Sequence, residues 1–105
     1  MSTFESQFAA FAKYGDTNSN GTFMTLSQSD KWMKQAQVLN KNLTTTDTAI
    51  SFGKLKQKTL GFQDYNKFVR DLAVSKGLNP KELFEKMTNC GSPDLANSTQ
   101  IINSA

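Results

Sequence analysis

Residues 16–27 come close to the calcium-binding loop of an EF-hand, and this segment constrains the fold more than any other part of the chain. The first, third and fifth ligand positions hold Asp16, Asn18 and Asn20. Gly21 supplies the sharp turn at the sixth position. The twelfth position normally carries a glutamate that binds the ion with both oxygens, but here it is Ser27. With one carboxylate among its ligands, the loop is predicted to act as a scaffold and not as a metal site.

Apolar residues recur at helical spacing in five segments, which predicts an all-α domain. The predicted helices run from Thr3 to Tyr14, from near Ser27 through Leu39, from the Thr44–Thr46 run through Leu55, from Asp64 to Lys76, and from Asn79 to about Gly91. Ser2 and Glu5 are predicted to form the capping box of the first helix. Ile50 and Leu55 are the apolar residues that the third helix is expected to present.

The segment between the third and fourth predicted helices repeats the loop pattern in a damaged form. Counting from Lys56 places Gly61 at the sixth position and Lys67 at the twelfth, so lysines stand where an ion needs carboxylates. No calcium is expected in this loop. Short segments around Phe23 and Phe62 are expected to pair as a two-stranded ribbon between the loops.

Two emptied loops in tandem predict an EF-hand-like helical domain of about five helices, with degenerate loops that do not bind calcium. We expect this core domain to span residues 1–91 and a short disordered tail to span residues 92–105, which are small and mostly polar. The alternative to an EF-hand-like pair is a domain of four helices that pack in some other arrangement.

Positive charge is concentrated in the middle of the chain. Residues 31–86 carry eleven Lys and Arg against five Asp and Glu, whereas the whole chain has a net charge of +3. The predicted partner-binding residues are Lys31, Lys34, Lys54, Lys56 and Lys58. Such a surface attracts an acidic partner, and nucleic acid is disfavoured because Arg70 is the one arginine. A lysine-coated surface without a specific partner is the alternative.

The composition proposes no catalytic or cofactor site. The chain has no histidine, which removes the usual general base and the usual zinc ligand. It contains neither a Gly-rich phosphate loop nor a G-x-S-x-G turn. No apolar run is long enough to span a membrane, and a single cysteine, Cys90, fits a reducing cytoplasmic setting. We therefore expect a non-enzymatic protein with no cofactor and no membrane partner.

Four ordered sequence blocks resemble the tubulin polymerisation-promoting protein family. They are FAAFAKYG at 8–15, DKWMKQA at 30–36, TDTAISFGKLK at 46–56 and YNKF at 65–68. The likeness is to a short form that spans the family's core domain, from about Phe8 to Gly91. It implies an EF-hand-like domain without working calcium loops, which binds tubulin and promotes or stabilises microtubule assembly in the cytoplasm, at the cytoskeleton. Lys54, Lys56 and Lys58 would then contact acidic tubulin surfaces. The oligomeric state is left open.

Two other functions remain as alternatives. The first is a divergent calcium sensor that uses residues 16–27 and changes the fluorescence of Trp32 when calcium binds. The second is a generic helical adaptor, whose groove is lined by the helices that carry Phe8, Trp32 and Phe68 and takes up a peptide or small ligand. Binding in such a groove would persist at high salt, whereas binding through lysines would not.

Overall fold

The computed structural model describes residues 3–15 and 18–93. Within them the chain forms five helices and one two-stranded sheet. In chain order the elements are α1 (Phe4–Lys13), β1 (Phe23–Thr25), α2 (Leu26–Gln35), α3 (Thr45–Gly53), β2 (Thr59–Gly61), α4 (Phe62–Ser75) and α5 (Pro80–Asn89). The prediction of a mostly helical chain with five helices is confirmed. The predicted tail lies, from residue 94 onward, outside the described residues, and so does Asp16.

Three of the helices begin with a reciprocal capping box, in which the cap side chain and the third helical side chain bond to each other's backbone. The pairs are Thr3 with Ser6 for α1, Thr25 with Gln28 for α2, and Thr44 with Asp47 for α3. The prediction of Ser2 and Glu5 for α1 is therefore wrong by one residue. Asn79 caps α5 and Pro80 is its first residue, which agrees with the predicted start of this helix at Asn79.

The predicted ribbon between the two loops is present as the antiparallel pair β1–β2. Phe23 pairs with Gly61, Met24 with Leu60 and Thr25 with Thr59. The second strand lies just before Phe62, which begins α4. Gly61 caps α4 with a φ of −73°, so its predicted place at a sharp turn is wrong. The left-handed residue of this loop is instead Lys56, with a φ of 54°.

The core is built around a stack of three aromatic rings from three helices. Trp32 lies between Phe11 and Tyr65, with ring centroids 5.2 and 5.4 Å away and planes tilted by 10° and 8°. All three side chains are fully buried. The Trp32 indole N–H donates to the carbonyl of Met87, at 2.8 Å, which attaches α5 to this stack.

Helix α3 contributes less apolar surface than its sequence predicts. Thr48 and Phe52 are its buried residues, and Leu55, just beyond the helix, packs partly against the core. The prediction that Ile50 faces inward is wrong, because its side chain is 56% exposed. Among the described residues, no helix is both long and apolar enough to cross a membrane.

Candidate partner-binding face

The described part of the first loop is held together by its own neutral side chains. The Asn20 carboxamide oxygen, a predicted ligand, accepts from the Thr22 backbone N–H at 3.1 Å and from its hydroxyl. The Ser19 hydroxyl donates to the Ala12 carbonyl at 3.0 Å and accepts from the Gly21 N–H at 3.1 Å. These bonds hold the described part of the loop in its shape. The calcium-sensor alternative stays a prediction, since Asp16 lies outside the described residues.

Gln28, and not Ser27, is the side chain that turns into this loop. Its amide nitrogen donates to the carbonyls of Ala12 and Tyr14, each at 2.9 Å, and its oxygen accepts from the Thr25 N–H at 2.9 Å. Ser27 is exposed and lines a cavity between α2 and α3. Gln28 was not among the predicted residues, although the pattern Thr25-x-x-Gln28 is that of a capping box.

Lys31 and Lys34 line the cavity between α2 and the start of α3, which has a volume of about 500 Å³. Lys31 is half-buried, and its ammonium nitrogen lies 4.9 Å from the centroid of the Tyr14 ring. Lys34 is exposed. The wall also contains Asp30, whose carboxylate accepts from the Thr48 hydroxyl at 2.7 Å. An acidic group therefore stands beside these two lysines and weakens their attraction for an anion.

Lys54, Lys56 and Lys58 lie at the other end of α3, in the connection to β2, and all three are exposed. Within residues 3–15 and 18–93, their side chains make no hydrogen bond or ion pair. Two other lysines of this half of the chain are paired, Lys67 with Asp71 at 2.8 Å and Lys76 with Asp47 at 3.5 Å. The three ammonium groups are therefore not paired with a described carboxylate, and the nearby Asp64 instead accepts from the Gln57 amide at 3.4 Å.

The five predicted lysines form two separate groups. Asp30 of α2 contacts Thr48 of α3, and the cavity that Lys34 lines includes Thr45 at the start of α3. The end of α3, where Lys54 stands, consequently points away from Lys34. Lys54 lines a different cavity, between α3 and α4, of about 390 Å³.

The helices predicted to form an adaptor groove are packed together in the core. Phe8, Trp32 and Phe68 are 2%, 0% and 2% exposed, so they do not line an open groove together. Phe68 does reach the wall of the cavity between α3 and α4. The open clefts that border the lysines thus lie on either side of α3.

Comparisons with known proteins give consistent likenesses. A family model described as p25-alpha matches residues 5–105. Tubulin polymerization-promoting protein family member 2 of Homo sapiens is 34% identical over 89 residues, which cover 79% of this chain and 52% of that protein. Family member 3 of Xenopus laevis is 32% identical over 91 residues, 81% of this chain and 52% of the relative. Tubulin polymerization-promoting protein of Rattus norvegicus is 35% identical over 80 residues, which cover 72% of this chain and 37% of that protein. The chain spans about half, or less, of the length of these relatives.

Proposed function

Because the chain belongs to the p25-alpha, or tubulin polymerization-promoting protein, family, we propose that it binds tubulin and promotes or stabilises microtubule assembly. The relatives' names supply the partner. The proposal places the protein in the cytoplasm at the cytoskeleton and assigns it no enzymatic activity, no cofactor and no nucleic-acid or membrane partner.

The observation that carries the proposal is the group of unpaired lysines after α3. Lys54, Lys56 and Lys58 are exposed and form no ion pair with described residues, so they are available to attract an approaching acidic surface. Lys31 and Lys34 form a separate group on the other side of α3, where Asp30 weakens their attraction for an anion and Lys31 is half-buried against Tyr14.

We further propose that the frame holding these lysines is EF-hand-like. Each half of the domain is a helix–strand–helix unit, α1–β1–α2 and α3–β2–α4, and the two units meet at the β1–β2 pair. In this proposal the loops serve as scaffold. The first is closed by Asn20, Ser19 and Gln28, and the second is lined by lysines that would repel a cation.

Co-sedimentation with taxol-stabilised microtubules over a series of salt concentrations tests the proposal. We expect pelleting at low salt that weakens as salt rises, because exposed charges are screened. The double change Lys54→Glu and Lys58→Glu should weaken binding about tenfold or more at low salt. Lys56 is left in place because its positive φ would complicate the comparison.

The matched control is the double change Lys81→Glu and Lys86→Glu on α5, which alters the net charge by the same amount at two exposed positions. Its affinity should stay within about twofold of the parent's. Equal losses in the two double variants would mean that only net charge matters and that the site is elsewhere. No pelleting of the parent protein at low salt would end the proposal.

A further inference from the structure

Helices α3 and α4 pack side by side and leave a groove between them, with a volume of about 390 Å³. The Lys76–Asp47 ion pair joins the end of α4 to the start of α3, and the rings of Phe52 and Phe68 meet edge to face at 5.4 Å. The two helices therefore run antiparallel. The groove is lined by Ser51, Lys54, Leu55, Lys67, Phe68, Asp71 and Ser75.

Apolar surface borders this groove on both helices. Ile50 and Val74 are 56% and 65% exposed, and they are two of the three large apolar side chains that are strongly exposed among the described residues. Ile50 lies one helical turn before Lys54, and Val74 one turn after Asp71, so each stands next to the groove-lining face of its helix. Leu55, which is partly buried, and Phe68, which is buried, also line the groove with apolar atoms.

The charge around this apolar surface is positive. Lys54 lines the groove, and Lys56 and Lys58 follow it in the connection to β2. Arg70 lies on α4, one helical turn before Val74. All four are exposed, and their side chains have no hydrogen-bonding or ionic partner in the described part of the chain. Of the acidic residues nearby, Asp47 is paired with Lys76 and Asp71 with Lys67, while Asp64 accepts from the Gln57 side-chain amide at 3.4 Å. The face thus combines two exposed aliphatic side chains, a groove and four cations that lack a counter-ion.

We infer that the α3–α4 face binds an acidic peptide segment of a partner protein, a segment that carries aliphatic side chains one helical turn apart. Carboxylates of the segment would meet Lys54, Lys58 and Arg70, while its aliphatic side chains would cover Ile50 and Val74 along the groove. The inference deepens the proposed function by naming the chemistry that is recognised, and it depends on that function only for the source of the segment.

A protein segment fits this face better than a membrane surface. The apolar atoms of Leu55 and Phe68 lie inside a cleft between two helices, where a bilayer cannot follow them. A side chain from a narrow peptide can enter such a cleft. Binding to phosphatidylserine vesicles is therefore an outcome that would contradict the inference.

Fluorescence anisotropy with the full chain tests the inference directly. The probe is a labelled glutamate-rich peptide with two leucines at positions i and i+4, compared with versions in which the leucines become serines or the glutamates become lysines. We expect only the acidic peptide with leucines to bind well. The double change Ile50→Ser and Val74→Ser should weaken its binding about tenfold, because two aliphatic contacts are lost.

Phe23→Ser is the matched control, since Phe23 is 59% exposed but lies on β1, away from the groove. It should leave peptide affinity within about twofold of the parent's. All these positions are exposed, so thermal unfolding should show folded variants. Equal binding of the leucine and serine peptides, or no effect of the Ile50 and Val74 changes, would overturn the inference, and so would binding to the vesicles without binding to the peptide.

The outcomes also separate this inference from the proposed function. Peptide binding without microtubule pelleting would end the tubulin proposal and keep the α3–α4 face as an acidic-peptide site. Microtubule pelleting by the parent protein, together with peptide binding that is unaffected by Ile50→Ser and Val74→Ser, would keep the proposed function and overturn the inference.

Discussion

At the residue scale, two carboxylates that sit between packed helices affect stability in opposite directions. Partial burial raises the pKa of Asp30 above its ordinary value of 3.8, and the hydrogen bond from Thr48 works against that rise. The backbone hydrogen bond from Thr44 holds the pKa of Asp47 below its ordinary value. The Thr44 hydroxyl and the charge of Lys76 lower this pKa further, while desolvation opposes the decrease. Ionised Asp30 therefore lowers the stability of the fold, whereas ionised Asp47 raises it.

The signs predict different pH dependences for Asp30→Asn and Asp47→Asn. The loss of stability caused by ionising Asp30 appears as the pH rises from 3.8 through the raised pKa of this group. Asp30→Asn should therefore be slightly more stable than the parent at pH 7 and equally stable in acid. The contribution of Asp47 is present above 3.8 and lost as pH falls through its lowered pKa, so Asp47→Asn should be less stable at pH 7 and should lose that part of the acid sensitivity.

Urea unfolding followed by Trp32 fluorescence, at pH 7 and at pH 3, measures both effects. The change at Asp30 should be within about 0.5 kcal/mol, since the group is partly solvated. A clear loss of stability in Asp30→Asn at pH 7 would mean that the charged hydrogen bond with Thr48 outweighs the cost of burial.

The residues that the sequence analysis misplaced have polar neighbours that decide their orientation. Hydrophobicity alone predicts that Ile50 faces inward, but the buried face of α3 includes Thr48, whose hydroxyl lies within hydrogen-bonding distance of both the Asp30 carboxylate and the Thr45 carbonyl, at 2.7 and 2.9 Å. A buried threonine with two partners is invisible to an apolar pattern. Gln28 was predictable, because its spacing from Thr25 is a recognised helix-start signal.

At the scale of elements, the first loop depends on a close approach between Gly21 and α1. Gly21 has a φ of +81°, and a Cβ placed on it would lie 3.1 Å from the Ala9 carbonyl oxygen and 3.3 Å from the Ala9 Cβ. Gly15, which follows α1, has a φ of +74° but open space around it, whereas Gly53 at the end of α3 has neither constraint. Substitutions at these three glycines therefore distinguish the cost of a left-handed backbone from the cost of a steric clash.

Replacing each of these glycines by alanine should give a graded loss of stability. Gly21→Ala should cost about 2–3 kcal/mol, since it combines left-handed strain with a clash against backbone. Gly15→Ala should cost about 1 kcal/mol from strain alone. Gly53→Ala, inside a helix and without close neighbours, should be neutral or stabilising by up to about 1 kcal/mol.

Chemical unfolding of the three variants, under one buffer condition, checks the order. If Gly21→Ala were no worse than Gly15→Ala, the contact with Ala9 would be loose enough to relax, and the loop would not be fixed against α1. The second loop offers no such series, because its left-handed position is Lys56. Gly61 has an ordinary φ of −73°, so a glycine at the sixth place of the pattern does not mark a left-handed turn there.

At the scale of the whole molecule, long-range hydrogen bonds from α1 and α2 attach α5 to the rest of the domain. Trp32 donates to the Met87 carbonyl, Gln7 to the Gly91 carbonyl at 2.7 Å, and Gln35 to the Ser92 carbonyl at 2.7 Å. The number and order of the helices followed from apolar periodicity and cap residues. The hydrogen bonds that attach α5 could not be predicted in this way, because they join residues more than fifty positions apart and depend on tertiary packing.

The hydrogen bond that attaches α5 and the lysines that follow α3 lie on different elements. Stability and partner binding are therefore predicted to change independently. Trp32→Phe removes the hydrogen bond to Met87 and leaves a gap between Phe11 and Tyr65, so it should lower stability by about 2–4 kcal/mol. Amides of α5 should exchange faster with solvent, because the element has lost one of its attachments.

Lys54 and Lys58 stand at the end of α3 and before β2, and neither position is on the elements that Trp32 joins to α5. At a temperature where circular dichroism shows Trp32→Phe to be folded, its affinity for microtubules should therefore match that of the parent within about twofold. Phe23→Ser, which removes an exposed aromatic ring, provides the comparison that changes neither property. Reduced affinity in the folded Trp32→Phe protein would place α5, or its junction with the core, in the binding surface and would move the partner-binding face away from α3.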